Sequence, residues 1–142
     1  NLPGVASVAL GWRTDIAGSA RAHLHLAYAF VPVGFALVSA SILLPAIVPV
    51  AAGLHAFGVG AVGSMTVAVM ARATLGHTGR QLRAGLQTIV VFAAILIAAL
   101  SRILAVFLPK DAIVNVAGVA WVLAFAGFLL AYGVALTTPK AK

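Results

Sequence analysis

The sequence predicts an all-α polytopic membrane protein, an antiparallel bundle of four transmembrane helices, on three observations. Of the 142 residues, 63% are apolar and 8% charged, with a mean hydropathy of +1.16. Soluble domains run near half apolar and a quarter charged. Four stretches meet the length of roughly 20 apolar residues that a helix needs to cross a bilayer core. These stretches are continuous Ala/Val/Leu runs, whereas barrel strands alternate over about 10 residues.

The elements follow in order. Residues 1–21 hold Trp12, Arg13, Asp15 and Arg21 among small residues, which suits an interfacial loop or short surface helix. No charged leader precedes an apolar core there, so a signal peptide is not expected. The start at Asn1 reads as a chain already cut from something longer. The first span is expected at about 24–44, with Pro32 kinking it. Pro45 and Pro49 bracket the first turn, since proline is disfavoured inside a helix but tolerated in its first turn. The second span follows at about 46–71. The connection RATLGHTGRQLR, Arg72 to Arg83, is the one long polar link. The third span is expected at about 84–108, the turn at Pro109-Lys110-Asp111, and the fourth span at about 112–136. A basic tail, 139–142, closes the chain.

Charge sets the orientation and excludes several chemistries. Arg13, Arg21, Arg72, Arg80, Arg83, Lys140 and Lys142 share one side of a four-span topology, and Arg102 and Lys110 the other. The positive-inside rule then places both termini in the cytoplasm. The net charge of +7 is interrupted by long apolar runs, so nucleic acid is not an expected partner. Two Asp and no Glu remove carboxylate pairs and calcium or magnesium cages. The absence of Cys removes disulfides, thiolate zinc and iron–sulfur clusters. No Ser-His-Asp arrangement is credible, because both Asp fall in loops. The glycines of the second span follow no strand, so they do not form a nucleotide loop.

Ala52, Ala56, Gly60, Ser64 and Ala68 recur every four residues in the second span. Ala120, Ala124, Gly127 and Ala131 do so similarly in the fourth. Such stripes are expected to pack against protein; room for a flat cofactor is the less favoured reading.

Ionisable groups inside spans are costly and so are functional candidates. His55 lies about nine residues, or ~13 Å, into the second span, where a buried imidazole needs a strong partner. For His25 and His77, a hydrogen-bonding role and a ligand role are evenly matched. His23 is read as solvated or facing lipid headgroups. It lies about 200° from His25 around a helix, so the two cannot chelate one ion. Arg102 either snorkels to the outer interface, with or without Asp111, or balances an anionic group. Met65 and Met70 are read as core residues, Trp121 as belt or cavity wall, and Tyr28 and Tyr132 as interfacial. The loop LGHTGR, with His77, Thr78 and Arg80, presents donors to an anion such as a lipid headgroup.

Two segments resemble a known family. HAFGVGAVGSMTVAVMARATLGHTGR, His55 to Arg80, is similar to the signature of the NnrS family, and LHLAYAFVPVGFAL, Leu24 to Leu37, resembles another of its segments. The resemblance covers most of residues 10–136. It implies a bacterial inner-membrane protein containing haem b and copper, linked to nitric oxide tolerance and denitrification, with nitric oxide or a related molecule as ligand. His25, His55 and His77 match the family's histidines and would be metal ligands; Arg72 and Arg80 match its loop arginines. Arg102 would then balance a haem propionate. The family's chains are longer, so this chain would be a C-terminal part or a short relative, and further transmembrane helices of the same or another chain would be its partners besides the lipid bilayer. His25 and His55 lie at opposite ends of neighbouring spans, which predicts two separate sites: one using His25 or His77, one using His55 with Arg102. The other open reading is a membrane scaffold or assembly subunit whose histidines are structural. A transporter is disfavoured, because no internal repeat or membrane carboxylate is present.

Overall fold

The structure, a computed structural model, describes residues 3–77, 86–108 and 110–137; within these, the side chains of 3–21, 75–77 and 135 are outside the description. The described chain is helical throughout apart from short turns. Helix α1 spans Pro3–Leu43 and α2 Val50–His55. A π-helical segment, Ala56–Gly63, joins α2 to α3, Ser64–His77; α4 is Leu86–Phe107 and α5 Asp111–Thr137. Four stretches are long and apolar enough to cross a membrane: Ala22–Leu43, Val50–Thr74, Leu86–Phe107 and Asp111–Val134. These match the four expected spans within a few residues. Residues expected as a separate N-terminal segment are helical from Pro3 and continuous with the first span. The basic tail at 139–142 lies outside the described residues.

Each turn has a local cause. Pro49 precedes α2 with φ −66° and ψ 139°, the extended geometry its ring permits, so the second span begins at Val50 rather than 46. Val48 N–H donates to the Leu44 carbonyl at 3.0 Å and Ala52 N–H to that of Pro49 at 3.0 Å, closing the turn. At the next turn, Lys110 N–H bonds the Leu108 carbonyl at 2.7 Å. Asp111 then opens α5, where a carboxylate complements the positive end of the helix dipole.

The second span is the centre of the bundle. Its segments contact α1, α4 and α5, while α4 and α5 form the most extensive helix pair. All five members of its small-residue stripe, Ala52, Ala56, Gly60, Ser64 and Ala68, are buried. The π segment explains how. An α-helix turns about 100° per residue, so steps of four overshoot a full turn by about 40°. The wider i→i+5 turn rotates less per residue and falls back the other way, so the stripe stays on one face. The glycines admit neighbours from this chain. A Cβ on Gly60 would press into the Phe30 ring, one on Gly34 would sit 2.8 Å from the Phe57 ring, and one on Gly63 would sit 2.8 Å from the Trp121 ring. The packing reading of the stripe is thus the one the fold adopts.

Val67, Ala68, Ala71, Val91, Phe92, Ile95, Ala124, Phe128 and Tyr132 form the main core. Outward positions such as Leu43, Val62, Leu100, Val122 and Leu130 are exposed. In water that surface would be prohibitive; in hydrocarbon it is the expected one.

Candidate functional site

The inward face of α1 is fixed by a spacing of three and four residues. His23, Ala27 and Gly34 are buried along it, and Phe30, Val38 and Ser41 are half-buried. His23 is only 3% exposed. Its ring lies flat on Phe92 of α4, with centroids 3.9 Å apart and planes 2° from parallel. The Ser64 backbone, where the π segment gives way to α3, lies beside the ring. The ring nitrogen Nε2 is buried with no hydrogen-bond partner among the described residues, as is the Ser64 hydroxyl. Two orphaned polar atoms within one contact of each other are unusual, because nearly all buried polar groups are satisfied. The nearby Thr88 and Tyr132 hydroxyls satisfy each other at 2.6 Å across α4 and α5.

This corrects the expectation of a solvated His23. The residue is not at a ragged helix end: α1 continues without a break to Pro3, so position 23 faces wherever the stripe through Ala27 and Gly34 faces. Tyr132, near the end of α5, faces the core there and is 4% exposed.

His25 lies on the opposite side of α1 and is exposed, with Tyr28, 66% exposed, one turn further along. His55 ends α2, half-buried, directly before the π segment. The Arg102 guanidinium of α4 is close enough to His55 for their charges to interact. Arg102 is half-buried and makes no hydrogen bond or ion pair among the described residues, Asp111 included. It lines a cleft of about 270 Å³ whose other walls are apolar, among them Val59, Trp121 and Gly118. Arg72 is exposed near the end of α3. His77 is the last residue of α3, but its side chain, and Arg80 entirely, lie outside the described residues.

His23 and His55 do not meet. His55 is nine residues before Ser64, which His23 touches, and nine residues rise about 13 Å, far beyond the ~2 Å of a metal–imidazole bond. Among the described residues, no group of three His, Cys, Asp or Glu side chains could hold a metal ion. Each of these histidines can therefore offer one coordination bond, not a closed metal cage.

The sequence could have revealed His23 through its i+4 and i+11 partners, Ala27 and Gly34. It held no signal for Phe92, which comes from a helix 69 residues later.

A family model described as "NnrS protein" matches residues 7–140. No curated protein and no solved structure matches the chain.

Proposed function

We propose, since this chain belongs to the NnrS family, that it is a membrane protein of the nitric oxide response in which single histidines contribute to haem b and copper sites. The observation that carries the reading is the orphaned Nε2 of His23, buried beside Phe92 and Ser64. A neutral imidazole nitrogen suits both haem iron and copper. A backbone group beside the ring, as Ser64 supplies, is the kind of neighbour that would fix the tautomer and orientation of a ligating imidazole. His55, a half-buried imidazole on the other side of the bilayer midplane, would serve a second site. A haem or copper centre would supply redox chemistry and a coordination position for a small molecule such as nitric oxide.

The remaining ligands would come from helices packed on α1. His25 and Tyr28 give its outward face polar groups, which are costly against lipid. Further spans covering that face would bring His25 into a site. His77, the last residue of α3, belongs to the same end of the bundle. We infer a place in the bacterial inner membrane from the family, and cytoplasmic termini from the seven basic residues of that side.

One observation favours a second reading, a scaffold or assembly subunit with structural histidines: the described residues offer no three-ligand group. Haem and copper contents of the wild type, His23→Ala and His55→Ala separate the two. Two sites predict that each variant loses a different cofactor and keeps the other. Loss of the same single cofactor from both would contradict the two-site arrangement. Neither cofactor in the wild type would favour the scaffold.

A further inference from the structure

A lone cation in a membrane-spanning helix needs an anion, and the described residues supply none to Arg102. The only two carboxylates in the chain are Asp15 and Asp111. Asp15 precedes the first span by sequence, at the opposite end of the bundle from Arg102. Asp111, the first residue of α5, is exposed and unpaired with Arg102 among the described residues. The guanidinium instead borders a cleft between the π segment, α4 and α5 whose walls are otherwise apolar: Val59, Ala98, Val114, Ala117, Gly118 and Trp121.

Position along the helices fixes the depth of this cleft. Arg102 is five residues from the end of α4, and Val114 and Gly118 are three and seven residues from the start of α5. At 1.5 Å per residue these lie within about 11 Å of the end of the bundle, where a snorkelling guanidinium reaches the boundary between hydrocarbon and headgroups. A hydrated inorganic anion would gain nothing from apolar walls. An amphiphile satisfies both parts of the site at once.

We infer that the Arg102 cleft binds an anionic phospholipid, with the phosphate on the guanidinium and an acyl chain along Trp121 and Gly118. Arginine suits that role because its planar fork donates two parallel bonds to phosphate oxygens. Gly118 leaves the wall open: a Cβ there would meet nothing within 4 Å. Half-buried Trp121 supplies the opposite side. This site does not use His23, and it gives Arg102 a different anion from the propionate of a His55 site.

Native mass spectrometry of the full chain in detergent tests it, with phosphatidylglycerol, phosphatidylcholine and glycerol 3-phosphate as probes. The wild type should retain phosphatidylglycerol over phosphatidylcholine by on the order of tenfold, because the choline cation of the latter offsets the phosphate charge that the guanidinium attracts. Glycerol 3-phosphate alone should not be retained. Arg102→Gln should erase the preference between the lipids. Gly118→Leu, which fills the cleft from a position with room for it, should lower retention of both lipids and keep their ratio. The site is overturned by equal retention of both lipids in the wild type, or by a preference that survives Arg102→Gln. Retention of glycerol 3-phosphate as strong as that of the lipid would also overturn it, showing a free-anion site. If Arg102→Gln does not fold, unchanged lipid retention in Gly118→Leu still overturns it. Haem content that falls in Arg102→Gln while lipid retention stays constant would assign the guanidinium to a carboxylate and likewise overturn it.

Discussion

Replacing Gly53 by Leu is expected to break the bundle, whereas the same replacement at Gly118 is expected to leave it intact. A Cβ on Gly53 would stand 2.5 Å from Val38 Cγ2, 2.9 Å from the Val38 backbone nitrogen and 3.0 Å from the Gly34 carbonyl oxygen. Backbone atoms in two helices cannot step aside as a side-chain tip can, so α1 and α2 must separate. Overpacking of a tight core costs about 1–3 kcal/mol and sometimes more; at this backbone contact the upper end or beyond is expected. At Gly118 there is no obstruction, and loss of a helical glycine should contribute up to about 1 kcal/mol of stability. Unfolding in a denaturing detergent titration reads both. Equal midpoints for the two variants would show that α1 does not pack on α2 as described.

His23→Phe is expected to separate stability from cofactor content. Phenylalanine preserves a flat ring against Phe92 and removes the orphaned Nε2, an unsatisfied group whose burial carries a penalty of about 1–3 kcal/mol. It also forfeits any polar interaction of the ring with the neighbouring Ser64 backbone, about 1 kcal/mol at most. The cofactor-free variant should therefore unfold within about 1–2 kcal/mol of the cofactor-free wild type, on the stabilising side if anything. If Nε2 is a ligand, the same variant loses its cofactor. A purely structural histidine would give the reverse: lower stability and unchanged cofactor content.

How much of this was legible in the sequence varies with the range of the interaction. The four spans follow from hydropathy and length, and Pro45, Pro49 and the Pro109-Lys110-Asp111 turn mark where chain direction changes. The small stripe from Ala52 to Ala68 also held more than its packing role. A strict repeat of four cannot remain on one face of a straight α-helix over that distance, so it foreshadowed the underturned π segment that was not anticipated. The proximity of His55 and Arg102 follows from depth, because both sit near the same ends of neighbouring antiparallel spans. The role of His23 was hidden for a different reason. Near a span boundary, burial depends on whether the helix continues and on what faces it, and neither Phe92 nor Ser64 is local to it. His25 shows the converse: a residue singled out by resemblance lies on the exposed side of α1, where only further helices would enclose it.

The visible absorption spectrum of the purified wild-type chain, reduced and then exposed to nitric oxide, bears on the histidine reading with the fewest intermediate steps. A haem held in part by His23 predicts a strong absorption band that shifts when nitric oxide is added and that is missing from His23→Phe. A wild-type spectrum with no band beyond the aromatic region, or a band that is identical in His23→Phe, would contradict it.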